Sequence, residues 1–166
     1  MLDLYLNTNN HASNFYLRNS IVHMEQLLGQ IKFTSSFSRT QRSLFYYNTF
    51  KASEYRNLAF YSLIYILKGT MQDQYYEHML KYLLFLRILN KDKITAAEIF
   101  FSQHLINAFV TDYEGLYGTL NLKYNLHAHL HLPKMAADLG PLYKCAGFSG
   151  EGAFHVFQIS IFILSI

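Results

Sequence analysis

Cysteine, proline and tryptophan are scarce in this 166-residue chain, which has one cysteine, two prolines and no tryptophan. The single Cys145 excludes an internal disulfide and any zinc site built from paired CxxC motifs. It also fits a reducing compartment, where disulfides are rare. Because proline occurs only at 133 and 141, most of the chain can adopt helical geometry.

Long apolar runs are also missing. No segment reaches the ~18 uncharged apolar residues that a membrane-spanning helix needs. The nearest candidate, "AFHVFQISIFILSI" at residues 153–166, is shorter and contains His155 and Gln158. The first twenty residues are polar and lack the apolar core of a signal peptide. We therefore expect a protein without a membrane span, located in the nucleus or cytoplasm.

The chain is rich in aromatic residues and has an uneven charge distribution. Apolar residues make up 51% and aromatic residues 17% of the sequence, which argues against disorder. The net charge is only +3, but residues 32–68 contain six cations and a single acid, Glu54. Such a basic segment is typical of a phosphate-contacting surface, and equally of a solvated loop and helix face.

Hydrophobic periodicity predicts four helices. The first runs from about Asn14 to Leu28, with Gly29 as its C-terminal cap. The others cover Lys51–Gly69, Asp73–Asn90 and a segment from Thr95 to Gly118 that opens with a Thr95-x-x-Glu98 capping box. Between the first two lies a Ser- and Thr-rich basic loop, residues 32–43. We expect an all-α fold, with one helical domain over residues 1–155 and an apolar tail over residues 156–166.

Three histidines alternate with other residues in "YNLHAHLHLPKMAADLGPLY", Tyr124–Tyr143. On a strand, His127, His129 and His131 would share one face and could bind a metal. On a helix only His127 and His131 share a face. Because the segment is rich in Leu and Ala, we favour the helix, with Pro133 disfavouring helical geometry at Leu132 and starting the next helix. We interpret the histidines as packed and hydrogen-bonded residues rather than metal ligands.

Six segments occur in an order that matches the motif series of a known protein family. They are "FYLRNSIVHMEQLLGQIK", the R-x-x-R loop "RTQR", "KASEYRNLAFYSLIYILKG", "FVTDYEGLYG", the histidine segment and "GFSGEGAF". Together they span roughly residues 13–155. This series is similar to the region downstream of the first two catalytic acids in En/Spm (CACTA)-like transposases, and more closely to the animal transposase-domain proteins derived from them.

The resemblance implies the helical region of a ribonuclease-H-like transposase. Such enzymes use three carboxylates that converge on Mg²⁺ ions. Glu151 would be the third acid, although as a lone carboxylate it also fits a solvated loop or helix start. The other two acids would lie before Met1, so we expect the chain to lack strand-transfer activity by itself. The implied partners are DNA and other protomers, and the phosphate contacts would come from Arg39, Arg42, Lys51 and Arg56.

Two other functional classes stay open at this point. The aromatic excess and the tail fit a protein-interaction or scaffold module with no role for nucleic acid. A histidine metalloenzyme would need a third ligand for His127 and His131, with Asp138 or Cys145 the nearest candidates. A further hypothesis is that the tail, residues 156–166, is a truncation or read-through remnant of a decaying transposable element.

Overall fold

Helices account for all the regular structure that is described. The structure is a computed structural model in which residues 2–32, 41–121 and 124–145 are described. No β-strand occurs within these residues, so the all-α prediction is confirmed. The central part of the basic loop with Arg39, the residue Glu151 and the tail at 156–166 lie outside the described residues.

The chain divides into two compact units, which among the described residues comprise residues 2–76 and 77–145. The division falls inside a long helix, Asp73–Leu89, after Tyr76. The prediction of one domain over residues 1–155 stays a prediction.

Short helices build the first unit. In chain order they are α1 (Leu2–Leu6), 3-10 turns at Thr8–Asn10 and Arg18–Ser20, α2 (Ile21–Gln30), a 3-10 segment (Leu44–Thr49), α3 (Ala52–Asn57), a π-turn (Leu58–Ser62) and α4 (Leu63–Leu67). The core of this unit contains the fully buried side chains of Tyr5, Leu6, Met24, Leu44, Leu58, Leu63 and Ile66.

Helix α2 differs from its prediction at both ends. It starts seven residues after Asn14, because the chain before it is held by α1: Leu17 donates its N–H to the carbonyl oxygen of Tyr5 at 2.8 Å. Its C-terminal end was also predicted wrongly. Gly29 lies inside the helix, and the cap is Ile31, whose N–H donates to the carbonyl oxygen of Leu28. Periodicity identified the helix, while a contact distant in sequence sets its start.

The predicted helix Lys51–Gly69 forms as α3, the π-turn and α4 in direct succession. In the π-turn, Leu63 donates its N–H to the carbonyl oxygen of Leu58, five residues earlier, instead of the usual four. The extra residue lets Leu58 and Leu63 both face the core, where each is fully buried. The predicted stop is confirmed, since α4 is capped by Lys68, and Gly69 adopts a positive φ of 75°.

The second unit contains the long helices. They are α5 (Asp73–Leu89, which starts in the first unit), α6 (Ala96–Tyr117), α7 (Tyr124–Ala128), α8 (Leu132–Leu139) and α9 (Leu142–Cys145), with 3-10 turns at Thr119–Asn121 and His129–His131. The predicted capping box is confirmed: Thr95 donates its N–H to Glu98 Oε2 at 2.9 Å, and Thr95 Oγ1 accepts from the N–H of Glu98. Gly118 ends α6, as predicted.

The break predicted at Leu132 is wrong. Leu132 is helical, with φ −62° and ψ −37°, and α8 starts at this residue with Pro133 in its first turn. A proline is tolerated there, because the N–H that it lacks would have no intrahelical partner in the first turn. The chain therefore stays helical from Tyr124 to Leu139.

A histidine that the sequence analysis did not single out lies in the core of the second unit. His78 on α5 is buried, and its ring stacks on Phe109 of α6 with 4.1 Å between centroids. Its Nε2–H donates to the carbonyl oxygen of Phe109 at 2.8 Å, so its Nδ1 accepts from the hydroxyl of Tyr117 at 3.1 Å. Burial lowers the pKa of His78 to about 4, and the nearest charges are the Lys81–Asp112 ion pair.

This buried imidazole predicts a pH dependence of stability. The unfolded histidine binds a proton below about pH 6.5, whereas the folded one does so only below about pH 4, so the free energy of unfolding should fall as the pH drops between these values. Urea unfolding should show a loss of about 2 kcal/mol from about pH 7 to about pH 5. The variant His78→Gln should lose this slope, and the exposed control His104→Gln should keep it. An unchanged slope in His78→Gln would contradict the assignment.

Candidate nucleic-acid interface

A buried carboxylate connects the basic loop to helix α3. Glu54 is 1% exposed and accepts two hydrogen bonds from Arg42, from Nε at 2.5 Å and from Nη2 at 2.9 Å. It also accepts from the N–H of Lys51 at 2.8 Å, which caps the start of α3. Arg42 further donates to the carbonyl oxygen of Thr49 and lies over the ring of Phe50. Contacts with Glu54, Thr49 and Phe50 thus fix the orientation of the Arg42 side chain.

A second carboxylate holds the same end of the loop. Glu25 on α2 accepts hydrogen bonds from the hydroxyl of Ser43 and from the N–H of Leu44. Arg42 and the two residues that follow it are therefore bound to two different helices, α3 and α2. These contacts fix the position of residues 42–44, the end of the basic loop.

Buried tyrosines continue the polar contacts beneath α3. The hydroxyl of Tyr55 donates to the carbonyl oxygen of Tyr47, and the hydroxyl of Tyr47 donates to Asp3 of α1 at 2.9 Å. Burial raises the pKa of Tyr55 to about 12, and burial with the hydrogen bond to Asp3 raises that of Tyr47 to about 12. Both hydroxyls stay protonated and act as donors, which links α1 to α3 through the 3-10 segment.

The cations that remain on the surface face no exposed carboxylate of their own segment. Lys51, Arg56 and Lys68 are exposed. The one acid among residues 32–68, Glu54, is buried and paired with Arg42. The exposed side of α3 and α4 is therefore positive, and such a surface attracts phosphate groups.

The structure treats the four predicted phosphate-contact residues differently. Lys51 and Arg56 are exposed at the start and end of α3 and can reach a ligand. Arg42 is also exposed, but most of its N–H donors are directed to Glu54 and Thr49. Its pKa is raised chiefly by the hydrogen bond to Glu54. Arg39 lies outside the described residues.

The histidine segment has the predicted helical arrangement. His127 and His131 lie one turn apart on an exposed face, with ring centroids separated by 5.2 Å, whereas His129 is fully buried beside Tyr82. The interpretation of the histidines as packed residues is therefore wrong for His127 and His131. Within residues 2–32, 41–121 and 124–145, no group of three or more His, Cys, Asp or Glu side chains could hold a metal ion. Glu151, the predicted third acid of a magnesium site, lies outside these ranges.

Sequence reasoning did not assign a role to the residue at the centre of this interface. Glu54 was noted only as the single acid of a basic segment. Its isolation among six cations was the available signal, since a lone acid in such a segment is a natural ion-pair partner. The sequence alone does not predict that Glu54 is buried. Nor does it predict that Glu54 pairs with Arg42 rather than with Arg56, which is nearer in sequence.

Comparisons with known proteins assign no family to this chain. No protein-family model, no curated protein sequence and no solved structure matches this chain. Within the part of the chain that the structure describes, no helix is long and apolar enough to cross a membrane.

Removing the buried carboxylate should destabilise the protein strongly. Glu54→Ala leaves the donors of Arg42 and the N–H of Lys51 without their acceptor, and it should lower the free energy of unfolding by about 3 kcal/mol in urea titrations. Glu54→Gln keeps an acceptor oxygen and should lose less. The control Asp112→Ala breaks the partly exposed Lys81–Asp112 pair and should cost less than about 1 kcal/mol. Equal losses for Glu54→Ala and Asp112→Ala would contradict the account.

Proposed function

We propose that this chain is a transposase-derived, all-α DNA-contacting region of the CACTA-like type, which is catalytically incomplete by itself and acts in the nucleus. The observation that supports the proposal is the Arg42–Glu54 ion pair. It joins the two motifs with the densest positive charge in the resemblance, the R-x-x-R loop and the K-A-S-E-Y-R segment.

The proposed contact is electrostatic. Lys51 and Arg56 lie on the exposed side of a helix whose only carboxylate is buried and neutralised by Arg42. Long basic side chains in this position supply sequence-independent phosphate contacts, which position DNA rather than read its bases. Three carboxylates are needed for strand transfer, and the resemblance assigns only Glu151 in this sequence, so the proposal includes no catalysis by the chain alone.

Duplex DNA binding across a salt series tests this function. We expect the double variant Lys51→Ala with Arg56→Ala to bind more weakly and to reduce the slope of log affinity against log salt by about 2, since each phosphate contact contributes about 1. Arg42→Ala is a poor choice of variant, because it also leaves Glu54 buried without its partner.

The control removes two exposed cations of the second unit, with Lys93→Ala and Lys134→Ala. It changes the net charge equally and should keep the wild-type slope. A DNA affinity that does not change with salt concentration would exclude a phosphate-binding surface on α3. Equal effects of the two double variants on the slope would exclude it as well.

A second candidate function, protein interaction or self-association, is favoured by two aromatic rings on α6. Phe100 and Phe101 are 68% and 49% exposed, and the His104 ring packs edge-on against Phe100 at 4.3 Å between centroids. Exposed aromatic side chains of this kind are enriched at protein interfaces.

If this surface mediates self-association, light scattering should give a mass above 19.4 kDa that rises with concentration. Phe100→Ala with Phe101→Ala should return the mass to the monomer value. A wild-type chain that stays monomeric at all concentrations would count against this candidate.

A further inference from the structure

The π-turn aligns basic and aromatic side chains on one exposed stripe. Along Ala52–Gly69, the exposed residues are Ala52, Arg56, Tyr61, Tyr65, Lys68 and Gly69. The step from Arg56 to Tyr61 is five residues, and the π-turn at Leu58–Ser62 is the element that takes up the extra residue. In an unbroken α-helix, Tyr61 would be turned well away from Arg56. The irregular turn therefore places two tyrosines in line with the cations.

Both tyrosines are exposed. Tyr61 is 56% and Tyr65 is 47% exposed, and they lie one turn apart, about 6 Å along the helix axis. The hydroxyl of Tyr65 donates to Gln30 Oε1 of α2 at 2.8 Å, which orients the ring before any ligand arrives. An oriented ring loses less conformational entropy on binding than an unrestrained one.

We propose that this stripe, formed by Arg56, Tyr61, Tyr65 and Lys68, binds an unpaired polynucleotide strand. The cations contact its phosphates and the two tyrosine rings stack on its bases. The charged residues of the stripe are all positive, which complements the negative charge of a phosphate backbone. A protein surface that carries charges of both signs would fit the stripe less well. A duplex supplies phosphates as well, but its base faces are already stacked on one another. Only an unpaired strand uses both the cations and the rings.

This inference goes beyond the proposed function, because it assigns a strand with exposed bases as the ligand. It shares Arg56 with the duplex contact, but it also needs the two tyrosine rings. The rings therefore separate the two ideas.

Fluorescence anisotropy of the full chain with a labelled oligothymidine, an oligouridine and a mixed-sequence duplex of equal length tests the stripe. We expect tighter binding to one or both single strands than to the duplex. Tyr61→Ala with Tyr65→Ala should weaken single-strand binding by on the order of 30-fold, at about fivefold or more for each lost stack. Duplex binding should change by less than about twofold.

Two further variants keep the experiment decisive. Tyr61→Phe with Tyr65→Phe preserves the rings and should retain single-strand binding, which separates stacking from the loss of a hydroxyl. Phe100→Ala with Phe101→Ala removes exposed rings from the second unit and should change nothing. Circular dichroism should show that the exposed tyrosine variants remain folded.

The outcomes distinguish this inference from the proposed function. Salt-dependent duplex binding through Lys51 and Arg56, with no preference for single strands and no effect of the alanine variants at the tyrosines, overturns the stripe and leaves the duplex contact standing. Ring-dependent binding to single strands without duplex binding supports the stripe and overturns the duplex contact. If no oligonucleotide binds, and removing the two rings instead abolishes a concentration-dependent mass in light scattering, the stripe is a protein-binding surface and the inference is wrong.

Discussion

The buried carboxylate of Glu54 is the constraint on which the first unit depends. A charged group that is 1% exposed is costly unless its oxygens are hydrogen-bonded, and here Arg42 and the N–H of Lys51 satisfy them. The same pair holds the end of the basic loop on α3, with Glu25 holding the next two residues on α2. Because this ion pair neutralises the segment's only acid inside the fold, the exposed cations of α3 and α4 keep their uncompensated charge.

The π-turn gives the same helix a second property. The π-turn lies between Leu58 and Leu63, which are five residues apart and both fully buried. An α-helix places residues three or four apart on one face, and the π-turn takes up the extra residue between these two leucines. The exposed side shifts by the same amount, which brings Tyr61 and Tyr65 into line with Arg56 and Lys68. The same turn thus affects both the buried and the exposed side of the helix.

Sequence periodicity predicted α5 and α6 well because both carry strong local signals. A capping box opens α6, glycine with a positive φ closes it, and Asn90 follows the last residue of α5. Two errors have different causes. A contact distant in sequence, from Leu17 to Tyr5, precedes α2, which starts late. The error at Leu132 is local, because the first turn of α8 accepts Pro133 without a break. In the candidate interface, residue type indicated Lys51 and Arg56, but burial of Glu54 and the register of the π-turn depend on packing that one sequence does not display.

Photo-cross-linking measures the central claim most directly, namely that one exposed stripe of the first unit joins phosphate contacts to base stacking. An iodouracil-bearing oligothymidine bound to the full chain would be irradiated, and the modified residues would be identified by mass spectrometry. The account predicts cross-links at Tyr61 or Tyr65, lost on competition with unlabelled oligothymidine and in the presence of high salt. Cross-links confined to the aromatic residues of α6, or to no residue between Lys51 and Lys68, would contradict it.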